Sequence, residues 1–176
     1  QNANGNIAFG RLEVAGGRGF NANFSTYTVA DTFLVSTAVP IVGAGTIDVS
    51  GPWVATSPIA VSTNLIRLRH ASGTANLQPG TTFGGGSLAL SQVSGTAIAL
   101  QPNLTYSNLF IESPVTLTGP VSLSGSLSVA NGLNPSLTLN GNSLTVAGQV
   151  DVLNAGRLVM NNAADLLRTT GTNFIY

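Results

Sequence analysis

Between Val115 and Asn131 the chain repeats one pattern three times: apolar, polar, apolar, a spacer, then Gly or Asn. Val115-Thr-Leu-Thr-Gly119 is followed by Val121-Ser-Leu-Ser-Gly125 and Leu127-Ser-Val-Ala-Asn131, each starting six residues after the last. The pattern resumes as Leu137-Thr-Leu-Asn-Gly141, Leu144-Thr-Val-Ala-Gly148 and Val150-Asp-Val-Leu-Asn154, with a looser set from Leu158 and Leu166. Alternation with period two is the mark of a β-strand with one face buried. Each unit is therefore a short strand, and the Gly or Asn after it is a corner.

The three units together form a longer repeat. Val115, Leu137 and Leu158 lie 22 and 21 apart; Val121, Leu144 and Leu166 lie 23 and 22 apart; Leu127 lies 23 before Val150. Three strands thus make a coil of about 22 residues, as expected of a repeat architecture in which each unit buries its apolar side only against its neighbours. The corner positions Gly119, Gly125, Asn131, Gly141, Gly148 and Asn154 keep the same register, and a sharp corner selects residues that tolerate positive φ. The fold class expected is all-β: a parallel β-solenoid with apolar side chains inside and hydroxyls outside. Traced backwards, the phase passes through Ile98–Leu100, read as 23 before Val121. It continues through Leu88–Leu90 to Leu65–Leu68, with Leu65 set 23 before Leu88. The expected division is a β-rich N-terminal region or cap over 1–62, with short strands at 11–14, 33–35 and 47–49, and a solenoid over 63–176.

The stretch Val115–Leu167, clearest in "SLTLNGNSLTVAGQVDVLNAGRLVMNNAADLL", resembles the repetitive shafts of bacterial extracellular proteins such as autotransporter passengers and filamentous-haemagglutinin-like adhesins. The resemblance is one of repeat style. It implies secretion, a β-helical shaft, and a role in surface attachment or appendage building.

Composition narrows the function. Charged residues are 7% of the chain, all six basic residues are Arg, and six acids bring the net charge to zero. A nucleic-acid partner would need a basic stripe to neutralise phosphates, and these arginines are scattered. A neutral surface also lacks the repulsion that keeps copies apart. No apolar run approaches the ~20 residues of a membrane-spanning helix, so membrane insertion is not expected. Cysteine is absent, which removes disulfides and thiolate metal sites. The start at Gln1 is read as a chain whose secretion signal has already been removed, which places the protein outside the cell or on its surface.

Candidate chemistry is sparse. His70 is the single histidine, and Glu13, Asp31 and Asp48 are too scattered to complete a metal site around it. Arg67 and Arg69 alternate with Ile66 and Leu68, so both project from one strand face, where they either solvate it or grip an anion. The glycines of "GTTFGGGS" lack the Lys-Ser/Thr of a phosphate loop and read as a corner. Trp53 is expected to pack beneath the N-terminal region. No catalytic, cofactor or metal site is assigned.

The ending "LLRTTGTNFIY" is apolar to its last residue and brings no amphipathic helix to close the stack. Leu166, Leu167, Phe174, Ile175 and Tyr176 are therefore the expected assembly surface. The function expected is a non-enzymatic subunit of an extracellular filament or appendage whose partner is a second copy of itself. The alternative is an adhesin shaft or glycan-binding surface module that contacts glycans or cell surfaces. Ice binding through the Thr116, Thr118 and Thr138 face is a third reading.

Overall fold

The computed structural model describes residues 5–17, 19–23, 25–38, 40–69, 81–91, 98–100, 105–171 and 174–176. All regular structure among them is β-strand. The strands, numbered in chain order, fall into three sheets. The first holds β1 (Asn6–Val14), β3 (Thr26–Val35), β5 (Thr46–Val49), β6 (Trp53–Ala55), β8 (Leu65–Leu68), β10 (Ser87–Leu90), β13 (Asn108–Ile111), β16 (Leu127–Val129), β19 (Val150–Val152) and β22 (Phe174–Ile175). The second holds β2 (Phe20–Asn21), β4 (Ile41–Val42), β7 (Ala60–Val61), β9 (Thr82–Phe83), β12 (Thr105–Tyr106), β15 (Val121–Leu123), β18 (Ser143–Val146) and β21 (Leu166–Thr169). The third holds β11 (Ile98–Leu100), β14 (Pro114–Leu117), β17 (Ser136–Thr138) and β20 (Arg157–Val159).

Every strand pair is parallel, and neighbours in a sheet are separated by one winding of the chain. The result is a β-solenoid of about 7 turns with about 21 residues per turn. The ladder crosses residue 62 without interruption, since Thr46 pairs with Leu65 and Val49 with Leu68. Parallel stacking begins with β1 against β3, where Asn6 meets Thr26 and Val14 meets Val35. β3 serves two sides of a coil: its first half pairs with β5, its second with β6.

The long repeat read from sequence holds in the C-terminal coils: Val115 pairs with Leu137, Leu137 with Leu158, Val121 with Leu144, and Leu127 with Val150. Three phases differ. Ile98 pairs with Val115 and not with a partner 23 residues on. Because the same motif recurs every six residues, a slip by one side of the coil leaves the pattern unchanged, and only the sheet assignment distinguishes the two. Leu144 pairs with Leu167, and Leu166 points outward. Ile66, and not Leu65, faces Leu88.

Inside, one apolar column runs from Val14 to Val150. Its N-terminal half carries a row of rings: Phe33 meets Trp53 edge-on at 4.9 Å, Trp53 meets Phe83 at 6.4 Å, and Phe83 stacks on Tyr106 at 5.5 Å. Trp53 is buried as expected. Burial pushes the Tyr106 phenol above its ordinary pKa, so it stays protonated.

The abundant hydroxyls have a local use. Ser36, Thr56, Thr118 and Ser124, each just past a strand, donate to the carbonyls of Val14, Val35, Leu100 and Tyr106 one coil earlier. Where the corner turns inward, buried Thr63 donates to the Gly45 carbonyl, and Ser107 donates to Phe83 while accepting from the Gly85 nitrogen. Backbone groups that leave the ladder at a corner thereby keep a partner.

Candidate functional site

The charge of the chain is concentrated on the outer face of the first sheet. Asp48 on β5 stands beside Arg67 on β8, Arg67 beside Ala89 on β10, and Ala89 beside Phe110 on β13. Arg69 and Glu112 follow directly after β8 and β13. Arg69 makes a two-pronged contact with Asp48, with Nε to Oδ1 at 2.6 Å and Nη2 to Oδ2 at 2.9 Å. Arg67 reaches across β10 to grip Glu112 in the same way, at 3.2 and 3.1 Å. Its other nitrogen, Nη1, lies 4.0 Å from Asp48. The crossing needs a small residue beneath it, and Ala89 is buried although its row faces outward.

The arginines therefore do hold carboxylates, and those carboxylates belong to the same chain. The hydrogen bonds that Arg69 donates to Asp48 are the largest cause holding its guanidinium above its ordinary pKa, partly offset by burial. Two cations and two anions are mutually satisfied, so the cluster fastens coils 19 to 45 residues apart in sequence and leaves no charge in excess. Paired, partly buried arginine forks exceed the ~0.2–1 kcal/mol of exposed pairs. Asp48→Ala, which strips both arginines of a partner, is expected to cost about 1–2 kcal/mol in urea denaturation. Glu112→Ala should cost less, and the Asp48–Arg69 double-mutant cycle should return a coupling of about 1 kcal/mol. A coupling near zero would show the pair to be ornamental.

The corner residues divide by mechanism. Asn131 (φ 59), Asn154 (φ 52) and Gly141 (φ 82) occupy the left-handed region. Gly119, Gly125 and Gly148 do not, and their expected need for positive φ is corrected. Space selects two of them: a Cβ at Gly125 would lie 2.3 Å from Asn108 Oδ1, and one at Gly148 would lie 2.6 Å from Ser126 Oγ. Gly119 is buried. Asn131 and Asn154 stack as an amide pair, with Nδ2 of Asn154 donating to Oδ1 of Asn131 at 2.8 Å.

Two corner residues were missed by sequence reasoning. Asn142 donates to the carbonyls of Leu117, Leu139 and Asn140. Asp165 accepts from the nitrogens of Gly141 at 2.6 Å and Asn162 at 2.8 Å, and so sets the start of β21. The signal was present as Asn142 next to Gly141 and as Asn162-Ala-Ala-Asp165 ahead of a strand, since Asn and Asp side chains at corners mimic backbone.

Among the described residues the three sheets finish on β22, β21 and β20, each paired there on one side. Leu166, Phe174, Ile175 and Tyr176 are exposed there, as is Met160, while Leu167 packs against the core. His70 lies outside the described residues. Among the described residues no group of three or more His, Cys, Asp or Glu side chains could hold a metal ion, and no helix is long and apolar enough to cross a membrane. Phe83 lies in a strand and Gly84 to Gly86 form the corner before β10, as expected of that glycine run. The Thr116 rank continues to Thr138 and then meets Val159.

No protein-family model, curated protein or solved structure matches the chain. The likeness to bacterial surface shafts therefore stands on the style of the repeat.

Proposed function

We propose that this chain is a non-enzymatic structural element, a subunit of an extracellular filament or surface appendage that adds copies head-to-tail along the solenoid axis. One observation carries the reading: parallel windings repeat along one axis around a single apolar column, a stack to which a further winding adds without change of register, and the winding of Leu166, Phe174, Ile175 and Tyr176 exposes those side chains. Parallel strand ladders of this kind template further strands, and a solenoid coil is stable only when its neighbour covers it. A contact between unlike ends does not close on itself and so grows as a fibre. The neutral surface supports the same reading, because little charge repulsion opposes approach.

Electron microscopy and sedimentation of the purified chain are expected to show polymers that lengthen with concentration. The double variant Leu166→Asp, Phe174→Asp should stay monomeric while keeping its strand-rich circular dichroism. A wild-type chain that remains monomeric at high concentration overturns the proposal.

A further inference from the structure

We propose that Asn131 is a site of spontaneous backbone rearrangement, converting to aspartate and isoaspartate in the folded protein, and that the chemically equivalent Asn140 is protected from the same reaction by Asp165. Both asparagines precede glycine, both are exposed, and both hold left-handed backbone, with φ 59 and 54. Their surroundings differ at the two atoms that react.

The reaction begins when the nitrogen of the following glycine attacks the asparagine Cγ. A ring N–Cγ bond forms, the bond from Cγ to the side-chain nitrogen breaks, and ammonia leaves with the proton of the backbone N–H. Water then opens the ring at either carbonyl, giving aspartate or its isomer, so that the net change is water taken up and ammonia released. Glycine as the follower leaves its nitrogen without side-chain hindrance.

At Asn131 the attacked carbonyl is already polarised. Asn154 Nδ2 donates to Asn131 Oδ1 at 2.8 Å, on the oxygen where negative charge develops. Among the described residues nothing is hydrogen-bonded to the Gly132 nitrogen. At Asn140 the opposite holds. The Gly141 nitrogen donates to the Asp165 carboxylate at 2.6 Å, and turning it toward Cγ would surrender a bond to a charged acceptor. Conversion at Asn131 places a negative charge on a chain whose net charge is zero. The isoaspartate form also lengthens the backbone inside a corner that requires left-handed geometry.

The full-length folded protein, held in warm, mildly alkaline buffer, is digested and its peptides followed by mass spectrometry with enzymatic detection of isoaspartate. Asn131 is expected to convert about tenfold faster than Asn140 or more. The two rates should converge in urea, where neither neighbour is in place. Asp165→Ala should raise the Asn140 rate about tenfold and leave Asn131 unchanged, and Asn154→Ala should slow Asn131, with circular dichroism reporting that each variant is folded. Equal rates at the two positions in the folded wild-type chain, or an Asn131 that converts only when unfolded, would overturn the assignment.

Discussion

Gly51→Ala is expected to lower stability by about 3 kcal/mol or more, the largest effect of an added methyl group at any of the described glycines. A Cβ at this corner between β5 and β6 would sit 1.2 Å from the carbonyl oxygen of Asp31 and 2.2 Å from its carbonyl carbon, in the coil beneath. Neither backbone can retreat easily. Ser50 donates to the Val29 carbonyl at 2.8 Å, and Phe33 donates to the Pro52 carbonyl at 3.0 Å, pinning the two coils on both sides of the contact. Relief therefore means breaking ladder bonds. Gly84→Ala is the control, since nothing lies within 4 Å of its Cβ position and its φ is not in the left-handed region; it should change stability by less than about 0.5 kcal/mol. Urea denaturation decides the matter, and a Gly51→Ala loss under about 1 kcal/mol would show that the corner yields. The same close approach recurs at Gly132, 1.5 Å from the Glu112 carbonyl oxygen, so the rule belongs to the stack and not to one corner.

Phe83→Ala is expected to cost about 3–5 kcal/mol. The ring is fully buried between Trp53 at 6.4 Å and Tyr106 at 5.5 Å. Truncation leaves a void that neither large neighbour can fill without moving its own coil. Phe83→Leu should recover most of the loss because it restores volume and apolar surface. Coils interact chiefly with their nearest neighbours, so the void should also weaken the coupling between windings on either side. The expected signature is a shallower urea transition or two transitions in place of one. A midpoint indistinguishable from wild type would mean that the aromatic row contributes little to the column.

The C-terminal coils were legible because their inputs are local. In Val121-Ser-Leu-Ser-Gly125 the alternation gives the strand and its inward face, and the glycine gives the corner. The 22-residue spacing then gives the partner. The same reasoning slipped at Ile98, where a motif repeating every six residues is identical under a shift by one side of the coil. It slipped again at Leu166-Leu167, where two adjacent leucines offer two phases and the Asp165 turn selects the second. The arginine face was half legible. That Arg67 and Arg69 share one side followed from period two. Glu112 as the partner of Arg67 did not, since the contact spans 45 residues and crosses β10 over Ala89.

Sequence alone determined that this protein is a stack of parallel windings around an apolar column, because strand alternation and corner chemistry act within a few residues and repeat with the coil. Tertiary structure decided what depends on the neighbouring winding: which glycines are required by space and which by φ, where each carboxylate finds its arginine, and which of the two Asn-Gly corners has its glycine nitrogen held by a carboxylate. These are contacts between atoms about 20 or more residues apart, and their geometry follows from the register of one coil on the next, which no local pattern encodes.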